Sequence, residues 1–136
     1  MTLSLVNEST GATVASHVEL ALDRAARRRG LLGRTSLAPT AAMVLSPCWM
    51  VHTAFMQFPI DVLFLDAQGR VVHVARQVQP WRAALSVRAQ VVIELPAGAA
   101  ERRDVNVGDR VTFLEHGADS ERGALTTQLP LGVHAC

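Results

Sequence analysis

The sequence predicts a mainly β domain, a sandwich or barrel that carries one α-helix. Three observations predict it. Short runs rich in β-branched residues recur along the chain, each bounded by turn residues. The hydrophobic period turns helical at about 23–30, and again for a short turn at about 97–103. The regular alternation of strand and helix that builds a parallel sheet is missing.

Each element has its own reason. Residues 2–6 alternate apolar and polar side chains, the period of a half-buried strand. Asn7-Glu8-Ser9-Thr10-Gly11 is turn chemistry, and 13–20 alternates again, so the two runs are expected to pair as a hairpin. Asp23 is placed to cap a helix through Ala25, Ala26 and Arg27-Arg28-Arg29, with Gly30 to end it. Arginines near its C-terminal end suit the helix dipole, and the run reads as a solvated helix end. Residues 31–39 read as a loop broken by Gly33 and Pro39, and 42–45 as a short apolar strand. The runs 60–65 and 71–78 flank Asp66-Ala67-Gln68-Gly69, a hairpin with a four-residue loop. A strand at 91–95 is stopped by Pro96, and Asn106-Val107-Gly108-Asp109 turns the chain into a last strand at 110–114. Periodicity is lost from Gly117 onward. The expected organisation is one domain at 1–116 and a mobile tail at 117–136.

Composition narrows the function classes. A chain of 136 residues is the size of one domain, and 49% apolar with 18% charged residues describes a globular one. It buries roughly two thirds of its unfolded surface, enough to need neither disulfide nor metal. A net charge of +1 is too small for binding through nucleic-acid phosphates. Tyr is absent and other aromatics are scarce, which disfavours stacked bases as a ligand. No apolar run approaches a membrane span, and MTLSLVNEST lacks the pattern of a signal peptide, so a cytoplasmic location is expected. Cys48 and Cys136 then read as free thiols.

Chemistry concentrates in CWMVHTAFMQFPID, residues 48–61. Cys48, His52 and Met56 have the order of a copper loop, but the second histidine such a site needs is available upstream only as His17. Four zinc ligands at recognisable spacing are missing, so no metal and no cofactor are expected. Cys48 activated by His52 would make a thiol nucleophile, yet Pro47, Trp49 and Met50 give the thiol apolar neighbours, which favours a small buried cysteine. The remaining reading is structural: Met50, Phe55, Met56, Phe58 and Ile60 supply core, and His52, Thr53, Gln57 and Asp61 are polar groups beside it, with His52, Thr53 and Asp61 as a paired network.

Five segments carry a resemblance. "RGLLGR" at 29–34, "HTAFMQFPIDVLFLDAQGRVV" at 52–72, "QPWR" at 79–82, "VIELPAGAAE" at 92–101 and "VGDRV" at 107–111 resemble, in order, the bacterial family of domain of unknown function 192. The resemblance covers residues 18–114. It implies a compact, jelly-roll-like, mainly β domain with one helix before the "RGL" motif, and it implies no reaction. Where many relatives have Met in "RGLM", this chain has Leu32, a tolerable apolar swap. Position by position, the polar residues it carries over are Arg34, His52, Thr53, Asp61 and Glu94. His52, Thr53 and Asp61 are expected to form one hydrogen-bonded cluster with Arg34 or Glu94 at the end of the β domain, and the five residues a binding site for a small polar ligand or a peptide segment. A non-catalytic binding or accessory module is therefore the leading expectation. A hydrolase- or lyase-like enzyme using His52 and Asp61 as acid and base is the alternative, and a copper domain through Cys48, His52 and Met56 comes third.

Overall fold

The computed structural model of the chain describes residues 2–116; the predicted tail at 117–136 lies outside the described residues. Ten strands and two short helices follow one another as β1 (Thr2–Asn7), β2 (Thr13–Ala15), β3 (His17–Ala21), α1 (Arg24–Arg29), β4 (Ala41–Leu45), β5 (Met50–His52), β6 (Ile60–Leu65), β7 (Val71–Val78), β8 (Ala83–Leu85), β9 (Val91–Pro96), α2 (Ala99–Arg102) and β10 (Val111–His116). The fold is mainly β and sandwich-like. Its principal sheet has the order β3-β4-β9-β6-β7, a smaller one has the order β10-β1-β2, and β5 pairs with β8 alone. Both larger sheets keep free edges, so of the two architectures expected, the open sandwich forms and the closed barrel does not.

The predicted hairpins are present: β1 pairs with β2, and β6 with β7, both antiparallel. The single run expected at 13–20 breaks at Ser16. The amides of Ser16 and His17 both reach the Thr40 carbonyl, at 2.9 and 3.1 Å, and the chain passes from one sheet to the other. As a result β3 pairs parallel with β4, His17 opposite Ala41 through Ala21 opposite Leu45. A parallel pair needs a long crossover, and residues 22–40 supply it with α1 inside. The sequence therefore hides one strand–helix–strand unit within an otherwise antiparallel fold. The strands β5 and β8, three residues each, are too short to register as a period.

The principal sheet is buried on both faces, and its side chains divide by parity. Leu63 and Leu65 of β6 with Val91, Ile93 and Leu95 of β9 face the small sheet, where Leu5, Val14, Val111 and Phe113 close the first core. Ile60, Val62 and Phe64 with Val92 face the other way, where Leu31, Val51, Met56 and Cys48 close the second. That second layer, made of α1, the loop after it and the β5–β8 pair, is where the candidate site lies. No helix of the described residues is long and apolar enough to cross a membrane.

Candidate functional site

A cleft of about 720 Å³ opens on the second face of the principal sheet. Arg24, Arg27, Arg28 and Arg29 of α1 line it, with Gly30, Leu31 and Leu32 behind the helix, Leu45, Val51 and Met56 as apolar wall, and His52 and Glu94 as further polar groups. Its size is within the ordinary range of small-molecule sites. The helix presents its arginines here because Asp23 caps it, accepting from the Ala26 amide at 2.7 Å, and Gly30 ends it at φ 45°. Arg27 is tied down by the Leu22 and Ser46 carbonyls, at 2.7 and 3.3 Å. Among the described residues, Arg24, Arg28 and Arg29 make no ion pair. The run read as a solvated helix end is thus the rim of a cleft. The signal available in the sequence was its abutment on "RGLLGR", whose Gly30, Leu31 and Leu32 line the same space.

Glu94 is the unusual group. It is 5% exposed, and its carboxyl makes no hydrogen bond among the described residues. Its same-face neighbours across the sheet are Met43 on β4 and Val62 on β6, both apolar. Burial among them pushes the carboxyl up to about 7, against the attraction of Arg34. Gly30 belongs to this environment: a side-chain carbon built there would stand 3.6 Å from Glu94 Oε1, and its φ of 45° strains any other residue. Arg34 stands off, bonded to Glu19 at 2.6 and 3.2 Å. Its proton is held more firmly than usual, first by that bond, with burial opposing and the charges of Glu19 and Glu94 adding. The Arg34–Glu19 pair itself is exposed, and such pairs contribute about 0–1 kcal/mol.

The hydrogen-bonded cluster expected of His52, Thr53 and Asp61 with Arg34 or Glu94 does not form. His52 and Glu94 line the cleft, and Arg34 acts on Glu94 through its charge. Asp61 is on the opposite face. In the β6–β9 register Val62 is opposite Glu94, whereas Asp61 is opposite Leu95, so the two carboxyls point to different sides of the sheet. Asp61 is fully buried, and its oxygens accept the amides of Gln77 and Ala100, at 2.8 and 2.9 Å. That placement keeps it apart from His52 and removes the acid–base pair on which the enzymatic alternative rests.

Thr53 is occupied by backbone as well. Its hydroxyl lies 2.6 Å from the Gln79 carbonyl and accepts the Arg82 amide at 2.8 Å. Its own amide donates to the Arg82 carbonyl, and its carbonyl accepts from Trp81 and Met56. These bonds hold two loops in which Phe55 and Trp81 both adopt φ 66° and pack ring to ring, 4.5 Å between centroids. Exposed His52, next in the chain, has no such ties. Thr53→Val is accordingly expected to destabilise the fold by about 1–3 kcal/mol, the cost of leaving buried groups unpaired. His52→Ala is expected to change it by less than about 0.5 kcal/mol. Urea unfolding of both variants checks the contrast, and equal effects would contradict it.

Cys48 is buried and disulfide-bonded, which corrects the free-thiol expectation. A disulfide sulfur offers no thiolate, so neither the copper loop nor the thiol nucleophile is available through it. Cys136 lies outside the described residues.

Comparison with known proteins places this geometry in a family. The model of DUF192, described as an uncharacterized ACR, matches residues 5–113. A UPF0127 protein of Thermococcus gammatolerans is 33% identical over 115 residues, covering 80% of this chain and 74% of the relative. UPF0127 protein PYRAB11210 of Pyrococcus abyssi is 40% identical over 65 residues, 47% of this chain and 55% of the relative, so the match spans about half that protein's length. These relatives are archaeal, and the bacterial label expected from the sequence is too narrow. A solved structure from Novosphingobium aromaticivorans, a protein of unknown function, shares the fold with a TM-score of 0.70 at 23% identity, covering 80% of this chain and 81% of that one. Another, from Sinorhizobium meliloti, has a TM-score of 0.69 at 29% identity, over 80% and 89% of the two chains.

Proposed function

The chain belongs to the DUF192 family, and within that fold we propose that it is a non-catalytic binding module whose cleft takes a small acidic ligand. The observation that carries the proposal is Glu94: a buried carboxyl without a hydrogen-bond partner among the described residues, in a cleft rimmed by the arginines of α1. Buried polar groups are almost always paired, and one left open toward a cleft points to a partner supplied from outside. Guanidinium groups without counter-charges favour an anion as that partner. The apolar wall of Leu31, Leu45, Val51 and Met56 favours an anion with a hydrocarbon body.

Two features argue for binding without catalysis. The carboxylate on which an acid–base pair with His52 would depend, Asp61, is on the other side of the sheet. The sulfur of Cys48 is in a disulfide. The test is a titration of the labelled protein with butyrate, methyl phosphate and, as a neutral control, butanol, followed through backbone amide resonances. The anions are expected to move residues 24–32, 52 and 94 as one group, and butanol to leave them in place. Shifts scattered over the surface, or equal shifts with butanol, would refute the reading.

A further inference from the structure

We infer that the cleft recognises a carboxylic acid, by sharing one proton between the ligand's carboxyl group and Glu94. This deepens the binding reading above and rests on it. The geometry supplies three reasons. First, Glu94 is hemmed by Met43 and Val62 on the sheet, and no hydrogen-bond donor among the described residues reaches its oxygens. A protonated carboxyl in that position has an O–H to give and nothing in the protein to receive it. An ionised ligand oxygen is the acceptor that forms the short, strong bond. Second, Gly30 carries no side chain at the end of α1, where a side-chain carbon would stand 3.6 Å from Glu94 Oε1, so the space beside the carboxyl stays open to a ligand. Third, the same space is walled by Leu31, Leu45, Val51 and Met56. Desolvation cost rises steeply with charge, so a carboxylate monoanion enters more cheaply than a phosphate dianion.

The charges in and beside the cleft set the sign. Arg34, from the loop behind α1 and held by Glu19, is the cation whose charge acts on Glu94, while Arg24, Arg27, Arg28 and Arg29 of α1 and His52 of β5 line the same cleft. The cationic groups hold the ligand's negative charge. When Glu94 is ionised, two carboxylates would meet, and one proton must come from solvent for the pair to form. Free Glu94 titrates at about 7, so binding near neutral pH takes up a proton.

Hexanoate and butyl phosphate are suitable probes, each titrated by amide shifts into the full chain and into Glu94→Gln at several pH values. Hexanoate is expected to bind the unmodified protein about tenfold more tightly at pH 6 than at pH 8. In Glu94→Gln the amide N–H replaces the carboxyl O–H, so affinity should persist and that pH dependence should vanish. Calorimetry in buffers of different ionisation enthalpy should register proton uptake by the unmodified protein alone. Hexanoate binding at the cleft with equal affinity at both pH values would overturn the shared proton while leaving the binding reading in place. So would butyl phosphate binding there in preference to hexanoate. If neither probe moves the cleft resonances, both the binding reading and this inference fall.

Discussion

Replacing Asp61 with alanine is expected to destabilise the fold by about 3–5 kcal/mol. The carboxyl is fully buried on β6 and joins two remote segments. One oxygen accepts the amide of Ala100 in the first turn of α2, whose N-cap residue, Gly98, has no side-chain oxygen for that purpose. A strand residue thus does for α2 what a capping side chain ordinarily does. The other oxygen accepts the amide of Gln77, held at φ 49° in β7. Alanine orphans both amides, and each lost bond to a buried group costs about 1–3 kcal/mol. Asp61→Asn keeps an acceptor oxygen and should lose less. Urea unfolding measures the difference. A loss under about 1 kcal/mol would mean that the carboxyl is held for function, since catalytic and binding groups are commonly retained at a cost to stability. Hexanoate binding to the folded fraction should be unchanged, because Asp61 shares its face with Leu95 and not with the cleft.

That contrast marks how far the sequence could be read. The β6–β7 hairpin was legible because its signals are local: two β-branched runs around Asp-Ala-Gln-Gly. The helix was legible for the same reason, with Asp23 before it and Gly30 after it. Which carboxyl reaches the cleft was not. Asp61 and Glu94 carry the same chemistry and lie on neighbouring strands, and only the register of β6 against β9 separates them. A shift of one residue would put both carboxyls on one face, and that register is set by packing between segments some thirty residues apart. The break at Ser16 is equally non-local, since the group that diverts the chain is the Thr40 carbonyl, from the far end of the crossover. Thr53 was identified as a polar group that must be paired if buried, and it is paired, but with loop backbone at residues 79 and 82 instead of His52 and Asp61. The arginines of α1 were visible and undervalued, because a charged helix end is ordinarily turned to solvent.

The second large effect is expected at Glu94, and it has the opposite sign. In the folded chain the carboxyl titrates at about 7, against an ordinary value of 4.5, because burial penalises its charged form more than Arg34 rewards it. Between those values the folded state therefore binds more protons than the unfolded one. Stability contributed by this group is full below about pH 4.5, is lost as pH rises toward 7, and stays lost above it. Glutamine has nearly the shape of the protonated acid and does not ionise. Glu94→Gln should therefore match the parent near pH 4.5 and exceed it at pH 8 by about 3 kcal/mol. Taking the difference between the two proteins at each pH cancels the titrations that they share and isolates Glu94. Equal stabilities at pH 8 would mean that the carboxyl is ionised at no cost, already compensated within the protein, and a cleft with a compensated carboxylate has no proton to share with a ligand.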